Sequence, residues 1–199
     1  ESKNILVIGD SHTECAIDDS SFRRAANFSK SATSFVYSYA AFRKLITDNP
    51  HIDTVLLSYH SSSLSYERER GWIFDEAVME RQIPVFLPYF STGEFLLFLS
   101  RPHFYKPALE VPWSARDYYK SNEMGKRQDW IDKNIGNFRD LGWSNFSKDT
   151  AKTKPLQDRQ KRDTVSQVTV NYIRKFDKLC KEKNITLMLF NAPVYKWKK

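Results

Sequence analysis

The strongest constraint on the fold is a short apolar run near the amino terminus that leads directly into a Gly-Asp-Ser turn. The run Ile5–Ile8 contains four β-favouring residues, and Gly9, Asp10 and Ser11 follow it. A continuous apolar run of this length is typical of a strand buried on both faces, as in a parallel sheet. Ligands of such sheets bind at the carboxyl ends of the strands. The sequence therefore predicts an α/β fold with Ser11 at the ligand-binding edge.

Further elements of the same kind follow along the chain. A helical pattern from about Ser34 to Asp48 stops at Asn49-Pro50, and an apolar run from Asp53 to His60 predicts a second strand. A strand, a helix and a strand in this order are typical of a right-handed parallel crossover. A third predicted strand, Ile185–Phe190, follows an amphipathic helix near the carboxyl end. We predict a three-layer α/β/α fold with a central parallel sheet.

Residues 66–160 differ from the two ends of the chain. Their helical and irregular patterns are repeatedly broken by proline and are rich in aromatic residues. The 199 residues are enough for one sizeable core. We predict a single domain, 1–199, in which 66–160 form a large helical insertion over the carboxyl edge of the sheet. Aromatic residues at this density are more typical of a core than of a sugar-stacking surface.

The charge distribution and the cysteine content limit which macromolecular partners, metals and cofactors we expect for this chain. The net charge of +7 is uneven, because residues 1–80 carry −4 and residues 81–199 carry +11. Much of the basic excess lies in Ser147–Pro155 and Arg159–Arg162, where charges of both signs occur without aromatic residues, which indicates a solvated loop and helix start. We therefore predict no nucleic-acid partner. Cys15 and Cys180 form neither a disulfide framework nor a metal cluster, so free buried thiols are expected and no cofactor or metal is predicted.

The block Gly9-Asp10-Ser11-His12-Thr13 resembles the first motif of the SGNH, or GDSL, hydrolase superfamily, particularly its envelope-associated branch. The second motif of that family is similar in outline to Asn27–Ala32, with Ser29 and Ala32 at the glycine positions. The resemblance implies an SGNH or flavodoxin-like sheet and a nucleophilic Ser11. It also implies that the backbone N–H groups of Ser11 and Ser29 stabilise an oxyanion.

Two features of that family are absent. Its third motif has an asparagine where this chain has Ser58–Ser63, and no Asp-x-x-His occurs anywhere. His60 lies after the second predicted strand at the carboxyl edge and is the internal candidate for the base, whereas His51 and His103 lie elsewhere. The alternative is that the chain ends before the catalytic block, which would then be missing from these residues.

Several neighbours of Ser11 in these motifs are predicted to contact substrate. They are Asp10, His12, Asn27, Tyr59 and Ser61. A purely structural interpretation is also open, in which Asp10-Ser11-His12-Thr13 is only a strand-to-helix turn with a capping side chain. An Mg²⁺ or phosphate role for Asp10 is disfavoured, because the other predicted strand ends carry no carboxylate.

The resemblance implies a carboxylic ester hydrolase that removes O-acetyl groups from envelope glycans through an acyl-enzyme at Ser11. Without the Asp-His pair, this chain is expected to be impaired or inactive. Two alternatives are a non-catalytic glycan-binding or scaffold protein of the cell envelope and an O-acetyltransferase that uses the same serine. We expect a small acylated or glycan substrate.

Localisation is predicted from the amino terminus and the hydropathy. No segment approaches the ~20 apolar residues that cross a bilayer. The chain lacks an initiating Met and the first predicted strand begins almost at once, so we expect that a signal or anchor was removed. Such a segment would place the protein in the periplasm or cell envelope, with membrane association through it. A cytoplasmic location is the alternative.

Overall fold

The computed structural model describes residues 3–17, 19–30, 33–111 and 164–191. Much of the predicted insertion, 112–160, lies outside these residues, as do the positions after 191. The side chains of Cys15 and Ser61 also lie outside the described part.

In the part of the chain that the structure describes, four strands form one parallel sheet. They are β1 (Ile5–Ile8), β2 (Ala25–Asn27), β3 (Thr54–Ser58) and β4 (Thr186–Phe190). All neighbours pair in parallel, in the order β2-β1-β3-β4. The predicted parallel α/β architecture is confirmed, and β1 is an inner strand of which Leu6, Val7 and Ile8 are buried.

The described helices are compatible with a three-layer α/β/α arrangement. They are α1 (Ser11–Ala16), α2 (Phe35–Asp48), α3 (Tyr66–Ile73), α4 (Glu76–Phe86), α5 (Thr92–Leu99), α6 (105–111) and α7 (Gln167–Glu182). Helices α2 and α7 pack together over the sheet, with the rings of Phe42 and Phe176 stacked at 4.8 Å. Leu6 and Leu57 of the sheet belong to the same buried cluster.

The end of α7 has a local cause in the sequence. Asn184 adopts a left-handed conformation, with φ of 55°, just after the helix. The Ile185 N–H donates to Cys180 O at 2.8 Å, and the Asn184 N–H donates to Lys181 O at 3.2 Å. These two bonds satisfy carbonyls that the helix leaves unpaired, and asparagine tolerates this conformation. The chain is thereby turned into β4.

A second core joins α2 to the helices that follow β3. Its buried members are Val36, Tyr37, Ile73, Met79, Ile83, Phe86, Phe98, Phe104 and Tyr172. Phe86, Phe98 and Phe104 are thus buried in a core and do not form an exposed aromatic surface. Tyr89 and Tyr105, in contrast, are exposed.

A buried carboxylate ties this core together. Glu94 of α5 is 1% exposed and accepts hydrogen bonds from Arg43 Nη2 at 2.7 Å and from Tyr172 OH at 3.0 Å. The Ser91 N–H donates to it at 2.8 Å. Burial raises the pKa of Glu94, but the hydrogen bonds from Ser91 and the charge of Arg43 outweigh burial and hold the pKa below its usual value. The ionised carboxylate therefore links α2, α5 and α7.

The sheet is less covered at β4. Met188 and Leu189 of this edge strand are each about half exposed. Cys180, on the helix before it, is a free buried thiol as predicted, and burial raises its pKa to about 11. No helix in the described part of the chain combines the length and the apolar character that a membrane span needs.

Candidate functional site

The candidate site lies where the chain leaves β1 and β3. Strand β2 pairs with one side of β1, and β3 pairs with the other side, so the direction in which strands are added reverses at β1. A crevice at such a reversal is the usual ligand site of an open parallel sheet. Ser11 follows β1 there, and His60 follows β3, so both lie at the same edge of neighbouring strands.

Gly9 is required by close packing at this edge. A Cβ on Gly9 would lie 2.3 Å from Thr13 Oγ1 and 2.8 Å from Ser58 Cβ. Only glycine therefore allows α1 to start directly against the end of β3. The close approach of α1 and the end of β3 thus explains why a glycine is needed at the first position of the Gly-Asp-Ser block.

Asp10 and His12 fix the start of α1 around Ser11. Asp10 is the N-cap residue, and its Oδ1 accepts a hydrogen bond from the His12 N–H at 3.0 Å. His12 Nδ1 lies 3.4 Å from the same oxygen, within reach of charge attraction. Ser11 is the first residue of α1 and is partly exposed. The structural interpretation as a capped turn therefore holds for Asp10, and it leaves Ser11 accessible.

His60 reaches the same turn from β3. The rings of His12 and His60 are stacked, with centroids 5.8 Å apart and planes 12° apart. The loop is held by Ser63, whose Oγ accepts from the His60 N–H at 3.1 Å and donates to His60 O at 2.6 Å. In contrast, His51 is exposed at the opposite end of β3, and His103 lies near Glu76. Of these histidines, His12 and His60 are brought to the Ser11 turn.

Asn27 and Ser29 lie at the end of β2 and are buried. The Asn27 amide donates to Ile17 O at 2.8 Å, and its Oδ1 accepts from the Ser29 N–H at 3.0 Å. The backbone donor that the resemblance assigns to an oxyanion is thus engaged with Asn27. Ser29 Oγ has no hydrogen-bond partner among the described residues.

The two remaining predicted contacts lie after β3. Tyr59 is about one-third exposed, and its N–H donates to Phe190 O at 2.9 Å, which extends the pairing with β4. Ser61 begins the short 3-10 helix Ser61–Leu64, and its side chain lies outside the described part. The backbone therefore brings both residues to the carboxyl edge.

Lys30 is an unpredicted buried cation at this edge. Its N–H donates to Gly9 O at 3.1 Å, while its Nζ lies 5.2 Å from the centroid of the Phe86 ring. The ammonium has no hydrogen-bond partner among the described residues. Burial, assisted by the positive charge of Arg81, lowers the pKa of Lys30 to about 8, and the Glu14 carboxylate partly opposes this shift.

A pocket opens beside the Gly9-Asp10 turn. Its walls come from three parts of the chain. Thr33 and Ser34 line it at the start of α2, Glu69 and Trp72 line it from α3, and Asp10 lines it at the sheet edge.

The sequence analysis missed this pocket for identifiable reasons. Thr33 and Ser34 have the pattern of an ordinary helix cap, and Glu69 belongs to a Glu-Arg-Glu-Arg run that resembles a solvated face. The signal that was available is the position of Ser34 at the start of a helix that follows the second motif. No sequence signal places Glu69 opposite it.

Comparisons of the chain with known protein families, with curated protein sequences and with solved structures find no significant match. Within the described residues, no group of three or more His, Cys, Asp or Glu side chains could hold a metal ion. Any function must therefore be argued from the residues of the site.

Proposed function

We propose that this protein is a serine acyl hydrolase of the SGNH type, with Ser11 as nucleophile and His60 as general base. The observation that carries the proposal is the meeting of two strand ends, where the His60 ring stacks 5.8 Å from the ring of His12, the neighbour of Ser11. A nucleophile and a base supplied by adjacent strands at a switch point are a common arrangement for acyl transfer.

In the proposed reaction, Ser11 Oγ attacks the carbonyl carbon of an ester while His60 takes the hydroxyl proton. The alcohol leaves with that proton, and water then releases the acid from the acyl-enzyme. The Asp10 carboxylate, 3.4 Å from His12 Nδ1, adds negative charge beside the stacked rings.

Slow turnover is part of the proposal. The Ser29 N–H donates to Asn27 Oδ1 at 3.0 Å, so it must leave that acceptor before it can bind an oxyanion. Loss of a single oxyanion donor costs on the order of 10²–10³-fold in rate. We therefore expect an impaired esterase rather than an efficient one. From the resemblance to the SGNH family, we infer acylated envelope glycans as its substrates.

We also infer that the sheet belongs to a three-layer SGNH-like domain with 66–160 as its helical insertion. The helices at 66–111, which lie between β3 and β4 in the chain, support this inference. Glu69 and Trp72 of α3 line the pocket beside the Gly9-Asp10 turn, which is consistent with an insertion that lies at this edge of the sheet. The location in the cell envelope remains part of the same proposal and rests on the family resemblance alone.

The test combines turnover with covalent labelling. We expect p-nitrophenyl acetate hydrolysis and labelling by a serine-directed fluorophosphonate to disappear together in Ser11→Ala. In His60→Gln, turnover should fall about 100-fold or more, because a positioned base contributes on the order of 10²–10⁴-fold. The matched control is His51→Gln, an exposed histidine at the opposite end of β3, and its rate should equal that of the wild type.

Two outcomes would contradict the proposal at different points. Labelling that persists in Ser11→Ala would remove Ser11 as the nucleophile. Activity that depends on Ser11 but survives in His60→Gln would keep the hydrolase and eliminate His60 as its base.

A further inference from the structure

One wall of the pocket beside the Gly9-Asp10 turn carries hydroxyl groups without partners. Thr33 is 8% exposed, and neither its Oγ1 nor Ser34 Oγ has a hydrogen-bond partner among the described residues. Both residues line the pocket. A buried polar group without a partner is costly in a folded protein. The two hydroxyls therefore indicate a polar group of a ligand at this wall.

The start of α2 adds positive potential to the same wall. This helix is 14 residues long, and its N-cap residue Ser34 makes no side-chain capping bond. The first N–H groups of a helix have no partner within the helix and carry a partial positive charge, which favours carboxylates. Phe35 and Ser38 of the first turn also line the pocket. The hydroxyls and the helix start together suit a carboxylate group of a ligand.

Another part of the pocket carries negative charge. Asp10 at the sheet edge and Glu69 of α3 are the charged residues among the described lining residues, and both are acidic. Glu69 is 9% exposed, and its Oε2 accepts a hydrogen bond from Ser166 Oγ at 2.5 Å. That hydroxyl orients the carboxylate but carries no opposite charge. The acidic part of the pocket therefore suits an ammonium group, which would bring positive charge to the two carboxylates.

The rest of the lining is largely apolar, and the space is small. Phe35, Leu57, Trp72 and Ile73 contribute to it. The cavity volume is about 40 Å³, which is room for about three water molecules or a ligand of similar size. A ligand that fills this space has few atoms beyond its charged groups.

We propose that the pocket binds a small free α-amino acid as its zwitterion. The carboxylate of the ligand accepts hydrogen bonds from Thr33 and Ser34, and its short side chain contacts the apolar lining. The ammonium group lies beside the carboxylates of Asp10 and Glu69. A ligand with only the carboxylate is repelled by these two acidic residues, and a ligand with only the ammonium leaves the hydroxyls unpaired. Ser11 is not among the described lining residues, so this site does not depend on the proposed hydrolase.

Calorimetry on the wild-type chain with three small probes tests the inference. Alanine carries both charged groups, propionate lacks the ammonium, and ethylamine lacks the carboxylate. We expect alanine to bind at least about tenfold more tightly than either, because each of the other two loses its charge-assisted contacts with one part of the pocket. Thr33→Val should weaken alanine binding about fivefold. Glu69→Gln keeps an acceptor for Ser166 but removes the charge, and it should weaken alanine binding at least about tenfold.

Two matched variants serve as controls. Thr47→Val changes an exposed threonine of α2 whose hydroxyl donates to Arg43 O, and Glu67→Gln removes an exposed carboxylate from α3. Both should bind alanine as the wild type does. The comparison of the three probes needs no variant, so it decides the inference even where a pocket variant does not fold. Equal affinity for the three probes, absence of alanine binding at millimolar concentration, or unchanged binding in both Thr33→Val and Glu69→Gln would overturn the inference.

Discussion

Replacing Lys30 by methionine should stabilise the protein at neutral pH. Burial lowers the pKa of Lys30 from 10.5 to about 8, so the charged form is disfavoured in the folded state. A shift of this size corresponds to about 3 kcal/mol of folding free energy at pH 7. Methionine removes that cost but also removes the contact between Nζ and the Phe86 ring, worth about 1 kcal/mol. We expect Lys30→Met to raise the free energy of unfolding by about 2 kcal/mol.

The stability difference between Lys30→Met and the wild type should become smaller as the pH rises. Below pH 8 Lys30 is charged in both the folded and the unfolded state, so burial of the ammonium lowers the stability by its full amount. Between pH 8 and 10.5 the unfolded chain binds more protons than the folded protein, so the stability of the wild type rises with pH. About 2 kcal/mol of the cost should disappear between pH 7 and 9.5. Urea unfolding of both proteins at these two pH values measures the difference.

Comparison of variant and wild type cancels the titration of all other groups. The matched control is Lys44→Met, which removes an exposed ammonium from α2 that pairs with Asp48. It should change stability by less than about 1 kcal/mol. A stability difference between Lys30→Met and wild type that is the same at pH 7 and pH 9.5 would refute the reasoning.

Two further predictions concern packing and a buried charge. Gly9→Ala should lower the free energy of unfolding by about 1–3 kcal/mol in urea, because the added Cβ overlaps the first helix and the end of β3. Gly71→Ala, in a helix with open space around it, should instead raise the free energy of unfolding by about 0.5–1 kcal/mol. A stabilised Gly9→Ala and a destabilised Gly71→Ala would contradict the packing at Gly9. Glu94→Gln should lower the thermal midpoint and reduce the free energy of unfolding by about 3 kcal/mol at pH 7, because it leaves Arg43 without its buried carboxylate. Glu80→Gln, which changes a more exposed ion pair with Lys106, should reduce the free energy of unfolding by less than about 1 kcal/mol. Equal losses of stability in Glu94→Gln and Glu80→Gln would contradict a stabilising role of the buried Glu94 carboxylate.

The elements with a strong local pattern were predictable. The buried run of β1, the helix that ends at Asp48 and the strand Thr54–Ser58 agree with the sequence interpretation within a few residues. Strand β2 was not predicted, because Ala25–Asn27 is only three residues long and lacks β-branched or aromatic side chains. Its conformation comes from pairing with β1, as in Ile5↔Ala25, which is a tertiary contact that no local pattern contains.

The site was predictable to a smaller extent. The sequence placed Ser11 and His60 at one edge, because parallel strands end at a common edge. It could not show that the His12 and His60 rings stack, since residues 48 positions apart meet only through the sheet register. The same limit applies to Glu69, whose partner Ser166 lies 97 positions away in the chain.

The order of the strands also sets the order in which the sheet can assemble. Pairing of β1 with β2 closes a loop of about 20 positions, whereas pairing of β3 with β4 closes about 130, which costs about 1.7 kcal/mol more in chain entropy. The first three strands emerge from the ribosome long before β4 is synthesised. If the first three strands pair before β4 is made, the β3 edge is open to other strands until the last helix and β4 arrive.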